Sequence, residues 1–504
     1  MNNNSARWSR AFWLLVGFHL AAWISIMLFA CPNVSLDVSE ITCYGHEHQL
    51  GYFKHPPLAS WILEGARRAS GEQAIWAIYL VGQLTVVAAF IGVWLLAKRL
   101  LAPPAAFLAV LALQASFVYT LATVEFNHLI MVLPFFAFSG WALYAALIEG
   151  DVVWWIALGI VVGLGMLSNH IMLFQVITIV IFICADRASR PWLMRPHPYI
   201  AAAIAVLVFL PNLYWLFQNH FAPASYIHNR YAIGPRLAPH FLHPVNFCFW
   251  QVLFIAPMAV TLVPWTDRWQ CRPITEDRER WTARFLLAIA LGPFVGFMLV
   301  AVIGGLKLDK TIWGLPFWLF IPLTALFFLR SSPAPSALRD TIIVGLGLVG
   351  VNIIAGATIP LFWPALTGKA LPRFQFPGRL LSEEIGNIWH ASFPNAPLRI
   401  VAGERWLTYN VAFYSPERPS VLTDQSRLWS STIDEASCPW TSVRQLETSG
   451  GILLWYPDRE GSDLPPSLRR IAPSARVFGT LSLPWQTRAG LPPVRVGVAV
   501  APPH

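Results

Sequence analysis

The chain has 504 residues, 56% of them hydrophobic and 12% charged, with 24 Trp and 33 Phe. Soluble domains carry about 25% charged residues, so a mean hydropathy of +0.54 over this length excludes a soluble globular protein and implies an α-helical polytopic membrane protein. The net charge of +9 is not read as nucleic-acid affinity, because Lys and Arg collect in the cytoplasmic loops of membrane proteins. The cysteines show neither zinc-type spacing nor a disulfide framework.

In chain order, Arg7 and Arg10 precede an apolar run, Ala11–Ala30, long enough at about 20 residues to cross a bilayer and longer than a signal-peptide core. Leu28-Phe29-Ala30-Cys31 resembles a lipoprotein cleavage site, but Phe29 is bulky there, so the run is read as an uncleaved first helix. Further apolar runs lie near 75–97, 104–122, 127–147, 152–168, 170–185, 199–218, 247–265, 284–304, 311–329 and 341–363, giving about eleven spans. Only Asn169 separates the fifth and sixth. With the N-terminus inside, the inner segments hold Arg7, Arg10, Lys98, Arg99, Arg187, Arg190, Arg195, Arg268, Arg272, Arg278, Arg280, Arg284, Arg330 and Arg339. The outer loops hold Lys54, Arg67, Arg68, Arg230, Arg236, Lys307 and Lys310. This bias satisfies the positive-inside rule and puts the C-terminus outside.

From about Ala365 the composition changes. Strand-like runs appear at Leu398–Ala402, Ile452–Tyr456, Ala475–Leu483 and Val494–Val500, with a helix expected at Leu380–Trp389. The expected division is a transmembrane domain, 1–364, with a first outer loop at 31–74, followed by a small extracytoplasmic α/β domain, 365–504. There is no phosphate-binding Gly loop, and no repeat of the kind that marks many transporters.

The chemistry gathers in the outer segments. Asp37 follows the first span closely, where an ionisable residue is a functional candidate. Glu40 shares a face with it if the segment is helical. One carboxylate of such a pair can act as general base while the other orients it or holds a metal; a solvated helix-end Asp is the plain alternative. Glu125-Phe126-Asn127-His128 adds a third acid, pinned between two spans, although Asn127 also suits a helix cap. Lys307-Leu308-Asp309-Lys310 leads into Thr311-Ile312-Trp313. Two Lys at a helix start suit a bound anion such as phosphate, or else snorkel beside an interfacial Trp. Arg230 is a similar candidate. Pro57–Ala69 is amphipathic, with Leu58, Trp61, Ile62 and Ala66 at helical spacing and Arg67 and Arg68 opposite, and is expected to lie in the membrane interface. His46 and His48 lack a third ligand fixed by spacing. Cys31 and Cys43 are a possible pair in an oxidising compartment.

Asp37-x-x-Glu40, ten residues, then Gly51-Tyr52-x-Lys54-His55-Pro56-Pro57-Leu58-x-x-Trp61 resembles the first outer loop of polyprenyl-phosphate-sugar glycosyltransferases. These are GT-C fold enzymes of the protein-mannosyltransferase and aminoarabinose-transferase superfamily. Glu125–His128, Gly163–Asn169 and Lys310–Pro316 fit the same pattern, and the resemblance covers roughly residues 10–330. Many relatives carry a second acid directly after the first; here that position is Val38 and the acid is Glu40.

The resemblance implies an inverting membrane glycosyltransferase of the bacterial inner membrane, with its site on the extracytoplasmic face. The donor would be a polyprenyl-phosphate-linked sugar, and the acceptor a hydroxyl of a lipid, glycan or protein. Asp37 would be the base, with Glu40 and Glu125 beside it. Lys54, His55, Arg230, Lys307 and Lys310 would meet the donor phosphate. Tyr52, Asn127, His128 and Trp313 would line the acceptor side or support the first residues. A divalent ion, if used, would fall to Asp37, Glu40 and Glu125. The alternatives are a transporter or flippase of a lipid-linked substrate and a non-catalytic membrane scaffold.

Overall fold

The computed structural model describes residues 3–71, 75–232, 237–266, 274–309, 311–329, 335–370, 372–487 and 490–503. The chain separates into two compact units. One comprises Met1–Ser25, Leu80–Val124 and His128–Ala355; the other comprises Ile26–Tyr79, Glu125–Asn127 and Gly356–His504.

Among the described residues seven helices are long and apolar enough to cross a membrane: Ser5–Ala30, Ile75–Leu100, His128–Glu149, His197–Gln218, Ala238–Trp265, Asp277–Ile303 and Pro335–Thr367. Two bent pairs, Pro103–Ala115 with Phe117–Val124 (84°) and Thr311–Trp318 with Ile321–Phe328 (47°), raise the number to nine if each is one span. The sequence suggested about eleven. The difference is Val152–Ser168 and Met172–Ala185, which are apolar but short. A 14-residue helix rises about 21 Å, against a hydrocarbon core of about 30 Å. They are separate elements. Asn169 is extended, and its Oδ1 accepts the Ile171 N–H at 3.0 Å, an Asx turn that ends one helix and opens the next.

Small residues set the packing in this unit. A Cβ on Gly159 would lie 2.5 Å from the carbonyl oxygen of Ala201, and one on Gly163 2.6 Å from Cβ of Val208. The Gly-x-x-x-Gly spacing thus lets helices Val152–Ser168 and His197–Gln218 approach closely. Beside this contact lies an apolar cavity of about 420 Å³, lined by Trp155, Leu158, Val162, Ile179, Ala205 and Phe209 among others.

The second unit is built on one sheet. Its strands are β1 (Ile400–Gly403), β2 (Ser420–Leu422), β3 (Gly451–Trp455), β4 (Arg476–Leu483) and β5 (Val494–Ala501), in the order β2-β1-β3-β5-β4. The first three are mutually parallel; β5 runs antiparallel to β3 and β4 to β5. Val401, Ile452, Leu454, Val496 and Val498 bury one face against helices Gly378–Ser392 and Arg405–Tyr414. Ile400, Ala402, Leu453, Trp455 and Ala499 bury the other against Leu446, Leu464 and Leu468. Covered on both faces, β1 and β3 read as unbroken apolar runs.

The first loop belongs to this same core. It forms helices Leu36–His46 and Leu58–Ser70, and Tyr44 and Tyr52 enter the cluster that contains Trp389, Val401 and Tyr409. Their rings stack 4.6 Å apart, 9° from parallel. Asn33 N–H donates to the Phe374 carbonyl at 3.0 Å, and Tyr414 O–H donates to Asn33 Oδ1 at 2.8 Å. Cys31 and Cys43 are free thiols.

Helix Leu58–Ser70 corrects one expectation. Arg67 was placed with Arg68 on the polar side, yet it is buried, its guanidinium 5.6 Å from the Phe413 ring. Glu64 is buried as well and accepts from Arg418 Nη1 at 2.9 Å and from Nη2. The helix therefore buries two charged residues inside the unit; apolar spacing alone hid this, because the partners that make burial tolerable, Arg418 and Phe413, lie hundreds of residues away.

The two loop helices meet at Gly45, where a Cβ would lie 2.4 Å from the Ser60 carbonyl oxygen and 2.6 Å from Cβ of Glu64. Since backbone cannot yield as a flexible side chain does, Gly45→Ala is expected to destabilise the protein by about 1–3 kcal/mol in detergent unfolding curves. Gly65→Ala, with nothing within 4 Å of its added Cβ, is the control and should be neutral or mildly stabilising.

Candidate active site

Helix Leu36–His46 presents its two acids differently. Asp37 is exposed, in the first turn, whereas Glu40 is buried, one turn on. The reason is local. Asp37 stands in the opening turn, ahead of the packed positions at which Val38, Glu40, Ile41 and Tyr44 are all buried.

Glu40 is saturated with donors. Oε1 accepts from Lys54 Nζ at 2.7 Å and from Tyr44 O–H at 2.6 Å. Oε2 accepts from Arg405 Nε at 2.9 Å and also from Nη2. All three charged groups are buried: Glu40 is 4% exposed, Lys54 7% and Arg405 8%. Burial opposes the charge on Glu40, but Arg405 and Lys54 overcome it and hold the carboxyl down at about 2. Burial, helped by the Arg405 charge, brings the Lys54 ammonium down to about 8 against the pull of Glu40 and Asp37.

Asp37 has no hydrogen bond or ion pair among the described residues. Its carboxylate is open to solvent, yet the surrounding protein is dense enough that lost hydration dominates and raises its pKa. The Glu40 charge raises it further; Arg405, Arg373 and Lys54 pull the other way. Glu125 is half-buried and pairs with Arg373. Burial raises its pKa, Arg373 lowers it, and Asp37 raises it again. Glu125 therefore feels the Asp37 charge, and Asp37 feels that of Glu40 despite the cations beside it.

The remaining expected residues separate. Tyr52 is fully buried, and its O–H donates to the Tyr44 carbonyl at 2.5 Å, so it braces the helix that carries the acids. His55 is half-buried, its carbonyl accepting from Tyr52 N–H at 3.0 Å. Asn127 donates from Nδ2 to the Glu125 carbonyl at 3.0 Å. His128, Arg230, Lys307 and Trp313 belong to the helical unit. His128 is buried. Arg230 is exposed, its Nε 3.3 Å from the Tyr231 hydroxyl. Lys307 is exposed, 3.9 Å from Asp309. Trp313 packs edge-on against Tyr231 at 4.9 Å. Lys310 lies outside the described residues.

The donor set does not suit a metal ion at Glu40, because both its oxygens are engaged by cations and a phenol. No group of three acid, His or Cys side chains placed to hold a metal occurs among the described residues. His48 instead has Nε2 at 2.6 Å from Arg68 Nη2.

Two members were not anticipated from sequence. Arg405 opens helix Arg405–Tyr414 directly after the buried strand β1, and Arg373 precedes the sheet. The signal for Arg405 was a charged pair, Glu404-Arg405, set between an apolar strand and an apolar helix. Charges in such a place are almost always paired.

Arg405→Ala leaves Glu40 buried with one cation fewer, and a loss of about 3–5 kcal/mol is expected for breaking a buried pair. Glu40→Gln combined with Arg405→Met and Lys54→Met removes every charge of the network and should recover much of that loss, read by thermal unfolding of the detergent-solubilised protein. Since the pKa of Glu40 is lowered by folding, its contribution is complete above about 4.5 and fades as pH falls toward about 2. Glu40→Gln should flatten that acid-side decline.

Known proteins resemble the chain in sequence and in fold. A family model described as dolichyl-phosphate-mannose-protein mannosyltransferase matches residues 54–215. The chain is 25% identical over 285 residues to the lipid A galacturonosyltransferase RgtD of Rhizobium johnstonii; the match covers 55% of this chain and 58% of that protein. It is 22% identical over 469 residues to the lipopolysaccharide core galacturonosyltransferase RgtB of the same organism, covering 90% of this chain and 89% of the relative. Among solved structures, ArnT from Cupriavidus metallidurans bound to undecaprenyl phosphate superposes with a TM-score of 0.64 at 13% identity, covering 97% of both chains. The chain is an integral-membrane protein with the GT-C fold, the fold of polyprenyl-phosphate-sugar glycosyltransferases.

Proposed function

We propose that the chain is an inverting glycosyltransferase that moves a sugar from a polyprenyl phosphate to an acceptor hydroxyl, with Asp37 as general base. The observation that carries this is the contrast on one helix. Glu40 is locked as a permanent anion by Arg405 and Lys54, while Asp37 is accessible, free of hydrogen bonds, and raised in pKa. A base needs an open carboxylate with appreciable proton affinity, and of these acids Asp37 best fits that description.

In the reaction Asp37 takes the acceptor's hydroxyl proton. The freed oxygen forms a bond to the anomeric carbon from the face opposite the leaving group. The bond from that carbon to the phosphate oxygen breaks, its electron pair departs on the lipid phosphate, and the anomeric centre inverts. The charge growing on the phosphate calls for cations. We assign Lys54, His55 and the exposed Arg373 to this environment, and retain Arg230, Lys307 and Lys310 as further phosphate candidates. A divalent ion would have to be held without Glu40, and no step is assigned to one. The relatives' names make a galacturonosyl donor, and lipid A or the lipopolysaccharide core as acceptor, the first pair to assay. The positive-inside pattern supports a site, and a domain 365–504, on the extracytoplasmic side of a bacterial inner membrane.

Purified protein in lipid, given a polyprenyl-phosphate sugar and lipid A, tests the base. Asp37→Ala should lower transfer by about 100- to 10,000-fold with donor binding retained; undiminished transfer would remove Asp37 from the chemistry. The pH profile gives a second test. Asp37 acts only when ionised and its pKa is raised, so the acid limb should lie above the ordinary carboxylate range. Lys54 loses its charge above about 8, which sets an alkaline limb there. Arg373→Gln removes a charge that favours the Asp37 carboxylate and should move the acid limb to higher pH.

A further inference from the structure

The sheet of the second unit has a switch point that the reaction above does not use. From β1 the chain crosses to one side to form β2, then returns past β1 to form β3 on the other side. In open parallel sheets such a reversal leaves a crevice at the carboxyl ends of the two strands, where ligands bind. Here those ends lead into Glu404, after β1, and Tyr456, after β3.

Side chains of one chemistry converge there. Trp429 is 40% exposed. Its backbone is left-handed at φ +64°, uncommon for a bulky residue, and is held by its own N–H donating to Oε1 of fully buried Glu404 at 2.8 Å. The indole lies 5.3 Å from the Tyr456 ring, and the Arg459 guanidinium sits 4.8 Å from its centroid. Glu460 anchors the following turn by accepting the Ser431 N–H at 3.2 Å through Oε1; its Oε2 is buried with no partner among the described residues. An indole open to solvent with a guanidinium over its ring suits a ligand with an apolar C–H face and hydroxyls around its edge.

We propose that this crevice binds a saccharide, stacked on Trp429 and hydrogen-bonded by Arg459, and that this saccharide is part of the acceptor. The second half rests on the glycosyl-transfer reading; the first half does not. Binding at this crevice would fix an acceptor through sugar units remote from the reacting hydroxyl, so its loss affects acceptor affinity and leaves the chemical step alone.

The test is direct binding of full-length protein in detergent to the core oligosaccharide released from lipopolysaccharide by mild acid. Trp429→Ala should weaken binding by about tenfold, Trp429→Phe should stay near wild type, and Arg459→Gln should weaken it independently. Asp37→Ala should bind as wild type, so failure of the catalytic reading leaves this result standing. In the transfer assay Trp429→Ala should raise KM for the acceptor with kcat and donor KM unchanged. If Trp429→Ala and Arg459→Gln both bind the oligosaccharide as tightly as wild type, or if wild type does not bind it, the proposal is overturned.

Discussion

The second unit depends on one buried carboxylate. Glu40 receives Arg405 from the C-terminal region, Lys54 from the far side of the first loop and Tyr44 from its own helix. Each partner is out of water, so none of these charges is tolerable without the others. The consequence is topological. Both ends of the first loop and a helix hundreds of residues later must be in place together, and the first loop cannot reach its structure without the region that follows the last span. An apolar cluster of the same volume can equal the network in stability. It would not fix the rotation of helix Leu36–His46 as sharply, because hydrocarbon contacts have no direction.

Position along the helix separates the acids. Glu40 sits in the packed turn against two cations, while Asp37, in the opening turn, is exposed without a hydrogen bond. The Asp37 charge in turn raises Glu125, which is held by Arg373. The result is one carboxyl at about 2 and two that are raised. Environments that push neighbouring carboxyls apart in proton affinity are how acid and base roles come to be divided.

Much of this was legible in the chain because the bilayer forces long apolar runs. The runs read as spans coincide with helices or bent pairs, and what sequence misjudged was length: Met172–Ala185 is apolar throughout but too short to pass for a full crossing. Four of the five strands were visible as apolar runs. Strand β2 has three residues, and helix Arg405–Tyr414 is buried on nearly every side, so neither shows a period. The site was half legible. Asp37, Glu40, Lys54 and Glu125 announce themselves as charges near apolar spans. Arg405 and Arg373 come from hundreds of residues away, and no local pattern links them to Glu40 and Glu125. The motif places Tyr52 on the acceptor side or in a supporting role, and its hydroxyl serves the Tyr44 carbonyl.

The same geometry accounts for the departure at Val38. On a helix each residue turns about 100°, so position 40 lies about 60° from Asp37 on one flank and position 38 about 100° away on the other. The flank at 38 is sealed: Val38 is 1% exposed and packs in the apolar stripe with Ile41. A carboxylate there would be buried on the side away from Arg405 and Lys54. At position 40 the carboxylate is on the same side as Asp37, and its longer side chain reaches two cations. The second acid is therefore present on the Asp37 side of the helix, supplied one turn later and held by a residue of the C-terminal region. Where an acid follows Asp37 directly, the cation that compensates it must come from a different place in the structure. Here Val38 and Arg405 are two parts of one solution.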